Sequence, residues 1–377
     1  MPSSPSQTPL AAILAARIRE RGPITFADYM AACLYHPEHG YYSRAESRRF
    51  ADYYTSVDVH PIFGRLLARQ LAEMWEGCGR PAKFAVVEAG AGVGRLAAHI
   101  LDFAARALPE FYAALCYTAV EQSAARRAAQ AAALSAHSAA GHGESSETLP
   151  AAIPVGCILS NELLDALPVH RVLRERGALR EIYVGLNGDV FCEQVGPLST
   201  SALDKYFAEQ GIALLEGQQA EAGLAAAAWL EDAARRLGRG FLLTIDYGRE
   251  ARELYDERHL RGTLLAYTRH RAGEDFFAAP GEQDLTAHVN FTAFDLAAAR
   301  AGCARAGLVS QFSFLLALGK ANEFADLYDE GQTEAGHVRA RLLLKTLIFS
   351  EGMGETFSVL IHTKDVANPS LTGLAPL

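Results

Sequence analysis

The sequence contains no CxxC pair, and its six cysteines (Cys33, Cys78, Cys116, Cys157, Cys192 and Cys303) are scattered along the chain. That spacing argues against a disulfide framework or a zinc site and for a reducing compartment. No apolar stretch is long enough to cross a membrane. Basic charge is not in excess either. The formal net charge of −9 argues against a general nucleic-acid or membrane-surface binder. Basic residues come in short groups such as Arg269, His270 and Arg271, which suggests a pocket rather than a face. There is no internal repeat. Residues 1–23 carry a short apolar run with no positive region before it, which argues against a secretory signal. The arginines and the scarcity of acids there leave a transit peptide open, but a helix capped by Thr8 with Pro9 at its first position is the better reading. Without a targeting signal the expected setting is a bacterial cytoplasm, or the mitochondrial matrix if the chain is eukaryotic.

What is present is a long chain, 377 residues with half of them apolar, enough for one main domain with additions. Residues 1–80 read as an N-terminal helical segment that lies over a cofactor, with one helix in ITFADYMAACLYHPEHGYYS and another from near Pro61 to Trp75. Residues 81–377 alternate strand and helix. KFAVVEAG, LCYTAVE, GCILSNELLDALP, FLLTIDYG, VSQFSFLLAL and ETFSVLIHTK read as strands; RLAAHILDFAARAL, SAARRAAQAAALSAH and FTAFDLAAARAGCARAGL read as helices; GHGESSETLP reads as a surface loop. The alternation predicts an α/β fold with a mostly parallel sheet. Two insertions interrupt it: a β-meander at about 170–197 with a turn at Asn187, Gly188 and Asp189, and a long loop at 249–290 holding Tyr267 and His288.

The stretch VVEAGAGVGRL carries the first chemical signal. Glu88 is followed by Gly90, Gly92 and Gly94, with Ala91 between the first two. A dinucleotide fingerprint would place its third glycine at position 95, which is Arg95. The pattern suits S-adenosylmethionine, which has no phosphate but offers a carboxylate, an ammonium, a sulfonium and a ribose. Backbone amides from Ala91 to Gly94 can approach the amino-acid end or the ribose, and a second acid at the next strand end can take the ribose hydroxyls. Glu121, followed by Gln122, is in that position. Glycine turns of this kind also serve packing alone, and a strand-end acid can simply be solvated; the two together in a βαβ frame favour the cofactor.

Methyl transfer from a sulfonium needs alignment and exclusion of water rather than a metal. No metal is expected, and the spacing of His36, His39 and His60 fits no metal motif. The methyl acceptor must be oriented and relieved of its proton, a task for carboxylates. SNELLDALPVH supplies Asn161 and Glu162 for the cofactor or the reacting group, and Asp165 for the substrate side. Asp246, which ends the next strand, is a further candidate. Asp165 and Asp246 also read as ordinary turn residues. Tyr54, Thr55 and Ser56 in YYTS are expected over the cofactor, with half-buried packing as the alternative.

GPITFADYMAACLYHPEHGYYS, YYTSVDVHPIFGRLLA, SNELLDALPVHR, DYG, GTLLAYTRHR and GEQDLTAHVNFT occur in that order. Together they resemble the MidA-like family of class I methyltransferases, over roughly residues 10–365. The resemblance implies a Rossmann-like sheet of seven strands with the last antiparallel, and S-adenosylmethionine as cofactor, with S-adenosylhomocysteine as product. It also implies methylation of a protein arginine linked to assembly of respiratory complex I, with a complex I subunit as candidate partner. Nucleic acid is not expected as a partner, nor is membrane insertion. A homodimer paired through the meander is one option. The chain departs from the family at Ala51 to Thr55, where glycine, aspartate, phenylalanine, tyrosine and threonine are usual, and at Ala91, often proline. A rival reading is an assembly chaperone that binds the cofactor without turnover.

Overall fold

The computed structural model describes residues 8–43, 57, 60–268, 271–329, 332–348 and 357–376. The chain forms two compact units that do not divide at residue 80. One is built from Tyr54–Leu163, Leu230–Tyr247 and Ala297–Leu377, the other from Met1–Tyr53, Leu164–Trp229 and Gly248–Leu296. The helix Ile62–Gly77 is in the first of these, among the core side chains beside Phe84, Phe241 and Phe357. Its buried residues, including Phe63, Leu66, Leu67, Leu71 and Met74, recur at helical spacing, which is why it packs there.

The first unit is organised by seven strands: β1 Phe84–Ala89, β2 Leu115–Val120, β3 Gly143–Ser146, β4 Ile153–Asn161, β5 Leu237–Arg249, β6 Ala304–Ser310 and β7 Phe357–Lys364. Their order across the sheet is β6-β7-β5-β4-β1-β2-β3. β5, β4, β1, β2 and β3 are parallel neighbours, whereas β7 is antiparallel to both β5 and β6. The mostly parallel order is the one expected from the alternation and the reversed last strand the one the resemblance implied, but the count is eight rather than seven, because Val289–Asn290 pairs parallel with Gly248–Arg249 at the end of β5. Central strands such as FAVVEA and FLLTI are apolar runs because helices cover both faces of a parallel sheet.

Three sequence readings in this unit need correction. FTAFDLAAARAGCARAGL is not one helix. The helix Phe291–Arg300 stops where Gly302 turns at a φ of +82° and the amide of Cys303 donates back to the Ala298 carbonyl, and β6 follows. VSQFSFLLAL is not one strand, since Ser310 ends β6 and caps the helix Gln311–Lys320 by accepting the Ser313 amide at 3.1 Å. Its apolar run satisfies either period, and the cap decides. GHGESSETLP contributes β3 to the sheet edge, where backbone pairing to β2 and a bond from Thr118 Oγ1 to Glu144 Oε1 at 2.9 Å hold a polar segment in a strand.

The second unit holds a five-stranded antiparallel sheet. His170–Glu175, Ala178–Asn187 and Val190–Gly196 form the expected meander, joined on its edges by Ile24–Thr25 and Gln219–Ala222. Helices Pro9–Arg21 and Phe26–Tyr35 belong to the same unit, and Thr8 caps the first as its sequence suggested, accepting the Ala11 amide at 3.2 Å. Phe26, Tyr29, Phe191 and Phe276 are in this unit's core, and Tyr29 donates its hydroxyl to the Phe276 carbonyl at 2.8 Å. The stretch 249–290 is more than a loop. It contains the helix Ala251–Leu254 and a three-stranded sheet of Leu265–Thr268, Arg271–Gly273 and Asp284–Thr286.

Candidate functional site

The acids and glycines of interest collect at the carboxyl ends of β1, β2, β4 and β5, the edge where open α/β sheets bind ligands. Glu88 is buried near the end of β1 and accepts the hydroxyl of Tyr117 from β2 at 2.7 Å. Burial pushes its carboxyl up to about 8, against the lowering effect of the Tyr117 bond, and the charge of Glu121 pushes it the same way as burial. The chain then turns through Gly90, Gly92 and Gly94 with φ of +72°, +56° and +82°. A Cβ on Gly90 would come within 2.9 Å of Leu163 Cδ1, so this glycine permits a close approach. A Cβ on Gly92 would meet nothing within 4 Å; its need is conformational, and it borders open space.

The amides of this turn are less available than the sequence suggested. Ala91 N–H donates to the Val120 carbonyl at 3.0 Å, Gly92 N–H to Glu121 Oε2 at 3.1 Å and Gly94 N–H to the Ala91 carbonyl at 2.9 Å. Glu121 is itself buried just past β2. Its Oε1 accepts the Ser123 amide at 2.9 Å, and Arg126 Nη1 lies 3.8 Å from Oε2. Gln122 is exposed, and its carbonyl accepts from Arg127 at 2.6 Å. Sequence reasoning missed Gln130. This buried residue donates from Nε2 to the Gly92 carbonyl at 2.9 Å and accepts the hydroxyl of Ser145. Its only sequence signal is a lone amide side chain in an alanine-rich helix.

At the end of β4, Asn161 Nδ2 donates to Glu162 Oε1 at 3.2 Å. Asn161 Oδ1 is buried and accepts no hydrogen bond among the described residues. Glu162 has a φ of +53°, sparsely populated for a residue with a side chain, and its amide is tied to the Ile245 carbonyl at 3.0 Å. Asp246 is fully buried one residue further along β5, and its Oδ1 accepts the Tyr247 amide at 2.9 Å.

The residues of this edge fit adenosylmethionine. Buried carboxylates surround an open glycine turn, which suits a ligand that carries a cationic end and ribose hydroxyls. Glu121 has oxygens that could accept from the ribose, and the orphaned Asn161 oxygen needs a donor that a ligand could supply.

Asp165 does not belong to the same compact unit as these residues. In the second unit it is buried, and its carbonyl accepts the Ala287 amide at 3.1 Å. Tyr267 is in that unit too; burial raises its hydroxyl above the ordinary value, with the charges of Asp165 and Asp284 adding to the effect. Asp284, which the sequence did not single out, accepts the hydroxyl of Tyr42 at 2.7 Å. Tyr54, Thr55 and Ser56 lie outside the described residues, as do Arg269 and His270. His36 has a structural task, accepting the amides of Glu38 and His39 at its Nδ1. His60 accepts the Ile62 amide at the start of its helix at 3.0 Å. Among the described residues no group of three or more His, Cys, Asp or Glu side chains is placed to hold a metal ion.

This architecture, with a glycine turn between strand and helix and acids at successive strand ends, defines a methyltransferase of the S-adenosylmethionine-dependent class. The family model for S-adenosyl-L-methionine-dependent methyltransferases of the MidA-like type matches residues 66–309, and the chain belongs to that family. Its cofactor is S-adenosylmethionine. A protein from Burkholderia thailandensis, solved bound to S-adenosyl-homocysteine, is 33% identical; the match covers 97% of this chain and 94% of that one, with a TM-score of 0.86. Protein arginine methyltransferase NDUFAF7, mitochondrial, of Homo sapiens is 28% identical over 95% of this chain and 84% of its own length. Its counterpart in Danio rerio is 26% identical over 91% of this chain and 84% of its own length.

Proposed function

We propose that this chain transfers the methyl group of S-adenosylmethionine to an arginine side chain of a protein. The observation that carries the reading is the Asn161–Glu162 turn, which holds a carboxylate on strained backbone at the end of β4. Such strain costs of order 1–3 kcal/mol and clusters at functional sites. The relatives named as protein arginine methyltransferases, matched over more than nine-tenths of the chain, support the choice of acceptor.

The cofactor supplies an activated methyl group with a neutral leaving group. Glu88, Gly90, Ala91, Gly92, Gly94, Glu121, Gln122 and Asn161 are proposed to hold it. Glu121 accepts from the ribose and Glu88 offsets the cationic end. A guanidinium is a weak nucleophile because it stays protonated below about pH 12. Glu162 orients it and takes up the proton it loses, and Asp246 is the second carboxylate available for this task. Asp165 is assigned to the substrate by its place in the SNELLDALP motif. The partner is a protein, and a subunit of respiratory complex I is the candidate that the family resemblance suggests. A dimer paired through the meander is proposed on the same footing, and light scattering would test it.

The test is incubation of the purified chain with labelled cofactor and a cell lysate, followed by hydrolysis and amino-acid analysis. Labelled methylarginine is expected. Label on another residue, or no label, would overturn the reading. Calorimetry with S-adenosylhomocysteine tests the assignments. Glu121→Ala is expected to weaken binding at least about tenfold, roughly 1.4 kcal/mol. Glu162→Gln is expected to lower kcat by about 100-fold or more while binding the product within a few-fold of wild type.

A further inference from the structure

The helix Ala124–Ala133 follows β2, and its single buried side chain is the amide of Gln130. An apolar residue would pack there at less cost, because a buried amide must find a partner at both of its ends. Gln130 finds them on two different elements. Its Nε2 donates to the Gly92 carbonyl at 2.9 Å, and its Oε1 accepts the hydroxyl of Ser145 on β3. The amide cannot be turned round, since the Gly92 carbonyl only accepts. Its stem is used as well, because a Cβ on Gly94 would lie 3.2 Å from Gln130 Cγ.

Side-chain packing does not hold Gly92, where a Cβ would meet nothing within 4 Å. The two peptide groups that flank it are pinned instead. The N–H of one donates to Glu121 Oε2 at 3.1 Å, and the carbonyl of the other accepts from Gln130. Bonds on both sides of one Cα fix its φ and ψ, the freedom that a glycine would otherwise keep. A continuous chain of bonds thus runs from Ser145 through Gln130 and Gly92 to Glu121, the acid assigned to the ribose. All four residues belong to the first unit.

We propose that Gln130 is a positioning residue for S-adenosylmethionine: by clamping the Gly92 carbonyl it sets where the Gly92 amide points, and so where Glu121 holds its carboxylate. The inference rests on the reading of the Glu88–Gly94 turn as the seat of the cofactor. Gln130 is buried and is assigned no contact with the cofactor; it acts through Gly92. Without the clamp Gly92 regains its freedom and the Glu121 carboxylate loses a fixed donor. The cofactor must then order both on binding, which lowers affinity.

The experiment is calorimetric titration of the full chain with S-adenosylhomocysteine at about pH 5.5 and about pH 8.5. Gln130→Glu keeps an acceptor for Ser145 but can donate to the Gly92 carbonyl only while its carboxyl is protonated, and burial moves that titration upward from the ordinary carboxylate range. The Kd of this variant, divided by that of the unsubstituted chain, is expected to stay within about threefold at the lower pH and to exceed about tenfold at the higher. Glu88, Glu121, Glu144 and Arg126 are common to both chains, so their effects cancel in the ratio. A ratio that does not change with pH overturns the proposal, since a merely structural Gln130 would lower the melting temperature and leave no such profile. Should the charged form unfold, Gln130→Met decides alone. It fills the space without a donor; a loss of affinity of at least about tenfold supports the clamp and a smaller one overturns it. Glu121→Ala separates the clamp from the cofactor seat it serves. Weak binding by Glu121→Ala with intact binding by both Gln130 variants overturns the clamp alone. Intact binding by all three variants, or none by the unsubstituted chain, overturns the seat as well.

Discussion

At the scale of single residues, the site is built from acids placed where ionisation is costly. Glu88 is the clearest case, since burial raises its carboxyl to about 8. An unfolded glutamate titrates near 4.5. Between these values the folded state binds a proton that the unfolded state has released, so the contribution of Glu88 to stability falls as pH rises through that window, by at most about 1.4 kcal/mol per pH unit. Glu88→Gln removes this term. Chemical denaturation at several pH values between about 5 and 8 should show the variant gaining on wild type as pH increases; parallel curves would refute the assignment. The same group links binding to protons. A cationic cofactor beside Glu88 favours its charged form, so binding near pH 7 should release a proton, visible as a dependence of calorimetric heat on buffer ionisation enthalpy. Glu88, Glu121, Asn161 and Glu162 were legible in the sequence because acids at strand ends next to glycines form a pattern. Gln130 and Asp284 were not, because their meaning lies in partners 15 and 242 residues away, Ser145 and Tyr42.

At the scale of elements, periodicity found most of the sheet, and local caps corrected it. The apolar run after Val309 reads as strand until Ser310 is seen to cap a helix. Ser310→Ala should therefore cost about 1 kcal/mol, the usual value of such a cap. A different cost is expected deep in the sheet. A Cβ on Gly240, in β5, would sit 1.9 Å from the Gly156 carbonyl oxygen of β4, with a φ of +133° besides. The obstacle is backbone, which cannot rotate away. Gly240→Ala should lose at least about 3 kcal/mol, several times the cap, by urea denaturation. Equal losses for the two variants would mean that the β4–β5 contact yields more easily than its geometry implies. Helices Ala202–Glu209 and Leu224–Arg236 were not read from the sequence at all, since they follow a meander whose end has no sharp signal.

At the scale of the whole molecule, the two units are each assembled from three separate stretches of chain, and no boundary drawn at one position could have described them. Periodicity reports neighbours in sequence, whereas the second unit joins residues 8–43 to strands that begin at His170. A resident ligand should report on this division. The proposed cofactor contacts at Glu88–Gly94, Glu121–Gln122 and Asn161–Glu162 all belong to the first unit. At a concentration 100 times Kd, S-adenosylhomocysteine adds about 2.7 kcal/mol to whatever opening it must leave to occur. Hydrogen exchange should then slow about 100-fold at the amides of those three segments where exchange needs an opening that cannot bind the ligand. If S-adenosylhomocysteine raised the melting temperature but protected only the second unit, the glycine turn would be a packing device and the cofactor assignments would fall, while the family's chemistry would need another seat in the fold. Protection confined to the three strand ends would tie that chemistry to the edge where Glu88, Glu121 and Glu162 meet the open turn at Gly92.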